Sequence, residues 1–165
     1  MTKQIRSLSL LLAAAAFAAW ATPAQAVREF KRTFGYPASI TVTDLCAFPV
    51  DIDSTVSLTW MRFVRQNGTV MATFQVTEQD TFSANQQTLQ GLPYTYLEVA
   101  QADANGELTG LVQQGEFEKV PLPDGSLFLS AGRIDLLAHP DAQFIVTPDV
   151  GQSGDVAALC AALAP

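Results

Sequence analysis

Histidine occurs once in the 165 residues and cysteine twice, and positive charge is scarce, with nine Lys and Arg against 16 Asp and Glu. Each scarcity excludes a chemistry. His139 has no Gly-x-Ser-x-Gly elbow to serve, and Ser-His-Asp or Cys-His hydrolysis needs a base held between a nucleophile and an orienting group. His139-Pro140 therefore reads as a turn. Two cysteines with one histidine lack the spacing of a zinc site. Phosphate loops, dinucleotide fingerprints and haem-attachment sequences are missing too, so no cofactor and no metal is expected. The acidic balance repels phosphate backbones and anionic headgroups, which excludes nucleic acid as a partner.

What is present begins with an address. Lys3 and Arg6 precede an apolar stretch, Leu8–Ala21, and Ala24-Gln25-Ala26 places small residues before a cleavage point. Basic, apolar and small-residue regions in that order make a signal peptide over residues 1–26. The stretch is shorter than the ~20 residues that cross a bilayer core as a helix, and nothing after Val27 is apolar for longer. The expectation is one exported domain, 27–165, with no membrane span, secreted or held in the cell envelope. Two of the nine bases and none of the acids lie in residues 1–26, so the remainder carries a net charge of −9. Arg28, Lys31 and Arg32 read as a solvated, frayed start.

In an oxidising compartment the pair Cys46 and Cys160 is expected to bond, tying the chain end to the first part of the fold; free buried thiols are the alternative. Between them the pattern is β. Val56–Gln66 and Thr69–Val76 flank Asn67-Gly68, the strongest short-range hairpin signal. A two-residue type I′ turn there sets Phe63 opposite Ala72 and Met61 opposite Phe74. One face would then hold Met61, Phe63, Val70, Ala72, Phe74 and Val76 as core. The other would hold Trp60, Arg62, Val64 and Met71.

Further strands are expected at Ser39–Asp44, Ala47–Asp53, Tyr94–Ala102, Glu107–Gln113, Ser126–Leu137 and Gln143–Thr147, with Gly132 marking a bulge or bend. About eight strands at this spacing predict an all-β fold, an antiparallel sandwich or partly open barrel. A short C-terminal helix follows, because Val156, Leu159, Cys160 and Leu163 fall on one stripe behind the cap Asp155.

The segments Cys46-Ala-Phe-Pro-Val50, Gly125-Ser-Leu-Phe-Leu-Ser-Ala-Gly132 and Leu159-Cys160-Ala-Ala-Leu163 resemble those of small exported bacterial proteins of actinobacterial type. That resemblance implies an extracellular β domain with paired cysteines and supplies no catalytic residues.

Three functions follow in order. The first is a non-catalytic binding domain for a protein or carbohydrate, using Trp60, Arg62, Val64 and Met71, since Trp and Arg are enriched at hot spots. The second is a hydrolase built on paired carboxylates, Glu116 with Glu118 or Asp51 with Asp53, which otherwise read as solvated strand faces. The third is a structural envelope component. Asp103-Ala-Asn105-Gly106-Glu107 lacks the remaining ligands of a calcium loop and reads as a turn.

Overall fold

The computed structural model describes residues 27–139 and 148–165. The expected signal peptide and the expected strand Gln143–Thr147 lie outside the described residues.

Among the described residues, eight strands form one antiparallel sheet that does not close: β1 Val27–Val42, β2 Val50–Val64, β3 Val70–Ala84, β4 Gln87–Gln90, β5 Tyr94–Ala102, β6 Leu108–Pro121, β7 Leu127–Asp135 and β8 Val150–Gln152. A single helix, α1 (Val156–Ala162), ends the described fold. The order across the sheet is β1-β2-β3-β5-β6-β7-β8, and β4 pairs with β3. β3 runs long enough that β4 and β5 lie beside it end to end, β4 on residues 81–84 and β5 on residues 70–78. The all-β, antiparallel expectation is met by one open sheet, not by two sheets packed face to face.

Several expected boundaries move. The expected strands Ala47–Asp53 and Val56–Gln66 merge into one strand, β2, which begins at Val50 and ends at Val64. Arg28, Lys31 and Arg32 are not frayed; they belong to β1, which pairs with β2 from Val27 onward.

Burial divides the sheet into two halves. Along β2, residues 50–57 alternate strictly between buried and exposed, as expected of a strand with one covered face. From Leu58 to Val64 every residue is half-buried. In the lower half the even-numbered residues of β2 and β3 face a core of Val50, Ile52, Phe82, Leu89, Val120, Leu122, Phe128, Leu159 and Leu163. Burying one such side chain stabilises the fold by about 1.5–3 kcal/mol.

Helix α1 is the stopper of this end. Asp155 accepts a hydrogen bond from Ala158 N at 3.0 Å as its N-cap, and Leu159 and Leu163 are fully buried. Asn85 Nδ2 donates to Leu163 O at 3.0 Å, and Cys46 is bonded to Cys160, 114 residues away in sequence, with Cα atoms 5.6 Å apart. Gly154 is required at the helix entry, because a Cβ there would lie 2.3 Å from the Phe128 ring.

Three hairpin ends use the same five-residue closure. Arg65 N donates to Thr69 O, Asp103 N to Glu107 O and Leu122 N to Ser126 O, each at 2.9 Å. In each loop the glycine (Gly68, Gly106 or Gly125) takes a positive φ of 82–86° and donates back to the first residue. This is a type I turn completed by a glycine bulge. Asn67 therefore does not take the positive φ of a type I′ turn, and its Oδ1 instead accepts from Thr69 N at 3.1 Å.

The pairing consequently slips by one residue from the expectation, to Phe63↔Met71, Arg62↔Ala72 and Trp60↔Phe74. A one-residue slip exchanges the faces of one strand relative to the other. The two-residue turn with both residues at positive φ lies elsewhere, at Asn85 (49°) and Gln86 (65°), joining β3 to β4.

The bend expected at Gly132 extends across three strands. Gly115, Gly132 and Gly151 are cross-strand neighbours on β6, β7 and β8, with φ of 134°, 151° and 141°. A Cβ on Gly132 would lie 2.1 Å from Val150 O. The row lets the backbones meet at spacings that no side chain permits.

Candidate functional site

The corrected register decides which residues share the inner face. Leu58, Trp60, Arg62 and Val64 of β2 stand with Val70, Ala72 and Phe74 of β3, and with Phe30, Arg32, Phe34 and Tyr36 of β1. Met71 does not join them. It pairs with Phe63, whose side chain shares the outer face with Met61, so the expected set Trp60, Arg62, Val64 and Met71 is split three to one. The physical cause is the glycine bulge at Gly68, which adds a residue to the turn.

Trp60 sits between two rings. Phe30 meets it edge-on at 4.5 Å between centroids, and Phe74 stacks on it at 5.8 Å. Both geometries suit the aromatic quadrupole. Arg62 pairs with Glu29 at 2.8 Å, and Arg32 lies 5.9 Å from the Phe30 ring centre. The Trp60 Nε1 donor is buried and has no hydrogen-bond partner. Helix α1 meets β7 and the core in the lower part of the sheet. On β1, Phe34, Tyr36 and Ile40 are each about 45% exposed on the same side of the sheet.

Below the aromatic face lies a polar layer that sequence reasoning missed. Asp80, Glu118 and Ser130 are 0–1% exposed, and Ser54, Glu78 and Tyr94 are buried beside them. Two irregularities assemble it. β4 and β5 are interrupted at Gly91-Leu92-Pro93, where Gly91 N donates to Asp80 O at 2.8 Å and Leu92 N to Lys119 O at 2.7 Å. At the same level β6 carries a bulge between Glu116 and Glu118. The extra residue turns Glu118 inward opposite Ser130, while Glu116 stays outside and pairs with Lys119 at 3.0 Å. The two glutamates expected on one face are thereby separated. Asp51 and Asp53 do share an exposed face, where they accept from Thr41 and Ser39.

Tyr94 donates to Asp80 Oδ2 at 2.6 Å and Tyr96 to Glu78 Oε2 at 3.3 Å. Glu118 Oε1 accepts from Lys119 N at 3.0 Å. Asp80 Oδ1 and Glu118 Oε2 face no donor heavy atom. The missing donor is a proton. Burial, then the neighbouring charge of Asp80 and a hydrogen bond to it, push the Glu118 carboxyl up to about 9, so it stays protonated at neutral pH and donates to Asp80. Burial raises Glu78 as well, with the Asp80 charge adding to it, and burial raises Glu98. Burial chiefly pushes both tyrosines up, with the surrounding carboxylates reinforcing it.

Chemically this layer is an internal acid pair. Its carboxyls are closed to substrate and in mutual contact, unlike the separated pair that flanks a glycosidic bond. Among the described residues no group of three or more His, Cys, Asp or Glu is arranged to hold a metal ion. His139 lies on the surface, 2.7 Å from Asp149 Oδ1.

A trace of the acid layer is visible in the sequence. Val76-x-Glu78-x-Asp80-x-Phe82 alternates at period two between buried apolar ends, which places both acids on a core face. The chain matches no protein-family model, no curated protein and no solved structure.

Proposed function

We propose that this is an exported, non-catalytic binding domain that receives its partner on the upper inner face around Trp60. The carrying observation is the half-buried ring set Phe30–Trp60–Phe74, which holds a buried indole N–H without a partner. An unpaired buried donor costs about 1–3 kcal/mol, and an acceptor brought by a ligand removes that cost. Trp and Arg in a partly desolvated setting are the residue types that dominate recognition. Arg32, Arg62 and Val64 rim the rings, and the apolar side chains of Phe34 and Tyr36 continue the surface along β1.

The division of labour in the fold supports this reading. The lower half supplies stability through α1, the core and the Cys46–Cys160 bond, and the upper half is less deeply buried. Export is supported by the leader-like residues 1–26, the resemblance to exported actinobacterial-type proteins and the paired cysteines. No helix among the described residues is long and apolar enough to cross a membrane.

The test is affinity capture from the producing cells' envelope and medium on immobilised protein, wild type against Trp60→Ala and Arg62→Ala. A component retained saturably by the wild type and lost from both variants is expected. Equal retention by all three, with unchanged melting, would refute the assignment of this face.

A further inference from the structure

The opposite face of the same sheet carries a second, chemically different surface. On the outer side of β1–β4 the rows run Ser39–Asp53–Thr81–Gln90 and Pro37–Thr55–Gln79 across the strands. Together they line a groove of about 390 Å³. That volume lies within the roughly 300–1,000 Å³ range of small-molecule sites.

The groove is built from hydroxyls, amides and one carboxylate, with no base and no aromatic ring among its lining residues. Two of these groups are held in place. Ser39 Oγ donates to Asp53 Oδ1 at 2.5 Å, and Gln79 Nε2 donates to Gly91 O at 2.9 Å. Asp53 keeps further lone pairs, Gln79 keeps its carbonyl oxygen, and Thr55, Thr81 and Gln90 offer both donors and acceptors. Pro37 and the threonine methyls supply the apolar patches between them.

We infer that this groove binds a neutral oligosaccharide. The absence of a base from the lining leaves an anion without a counter-charge. The even mixture of donors and acceptors, repeated about every 4.8 Å across the strands, is on the scale of one sugar ring and matches sugar hydroxyls. Asp53 provides the strongest single contact, because a charged acceptor roughly doubles the strength of a hydrogen bond. The site is independent of the Trp60 surface and lies on the other side of the sheet.

The test titrates the isotope-labelled full chain with cellotetraose, xylotetraose, maltotetraose and tetra-N-acetylchitotetraose, following amide shifts by NMR. Tetragalacturonate serves as the charged comparison. At least one neutral tetramer is expected to shift the amides of Asp53, Thr81 and Gln90 saturably in the millimolar range. Asp53→Asn and Thr81→Val should each weaken that binding about tenfold, as expected for loss of one well-placed hydrogen bond, and Trp60→Ala should leave it unchanged. All three exposed or half-exposed positions are checked by melting temperature. The inference is overturned if no neutral tetramer shifts the groove, if tetragalacturonate binds it more tightly, or if binding survives Asp53→Asn and Thr81→Val but is lost in Trp60→Ala.

Discussion

Replacing Glu118 with Gln isolates the proton that the inner face traps. In the unfolded chain Glu118 ionises near its ordinary 4.5, whereas in the fold it holds its proton up to about 9. Between those values the unfolded state releases a proton that the native state keeps, so raising the pH favours unfolding. The stability tied to this group is fully present below pH ~4.5 and is lost progressively as pH rises through about 9. At pH 7 the loss amounts to about 3 kcal/mol, taking 1.36 kcal/mol per pH unit. The buried Glu78 and the half-buried Glu98 are raised as well and act with the same sign.

Gln at position 118 is neutral at every pH and can still donate to Asp80 and accept from Lys119 N. Urea denaturation of both proteins at pH 4.5, 6, 7.5 and 9 reads the difference from the midpoint and slope. Glu118→Gln should be close to neutral at pH 4.5 and stabilising by about 4 kcal/mol at pH 7.5. Glu116→Gln removes only a partly exposed ion pair with Lys119 and should shift stability by about 1 kcal/mol or less, without that pH trend. Wild-type stability that stays flat or rises from pH 4.5 to 9, or an equal loss in Glu118→Gln at all four values, would refute the trapped proton.

Other expectations follow from the same structure. Gly132→Ala should destabilise by about 3 kcal/mol in a thermal melt, because the Cβ meets backbone at 2.1 Å in a conformation that L-residues avoid; a change under about 0.5 kcal/mol would contradict it. Cys46→Ser should cost about 3–4 kcal/mol in urea unfolding, since the bond closes a loop of 114 residues, and an unchanged midpoint would count against the pairing. In acid, Asp103, Asp124 and Asp149 act oppositely to Glu118. Hydrogen bonds from the Glu107 backbone, the Ser126 hydroxyl and the Asp135 backbone, in that order, hold their carboxyls low. Their contribution disappears as pH falls through those lowered values, so stability should peak in mildly acidic solution.

The parts of the fold legible in the sequence are those specified locally. Asp155 and the stripe Val156, Leu159, Cys160 and Leu163 lie within a few turns of chain, and the helix forms where they place it. Tyr94–Ala102 is bounded by Pro93 and by the Asp103 turn, and β5 has those limits. The register was not legible, because Asn-Gly serves either of two turn types that differ by one residue. That single residue moved Met71 away from Trp60. The acid layer escaped for a related reason. Period-two reading puts Glu116 and Glu118 together, and only the β6 bulge, set by pairing with β7, sends them to opposite sides. The charged N-terminal segment looked frayed because the β2 edge that orders it is 28 or more residues away from it in the chain.

The most direct test of the recognition surface is acrylamide quenching of Trp60 in the chain from Val27, where it is the sole tryptophan. A quenching constant between those of a buried and a free indole is expected, rising when Phe30→Ala removes the covering ring. Full protection of Trp60 in both proteins would contradict it.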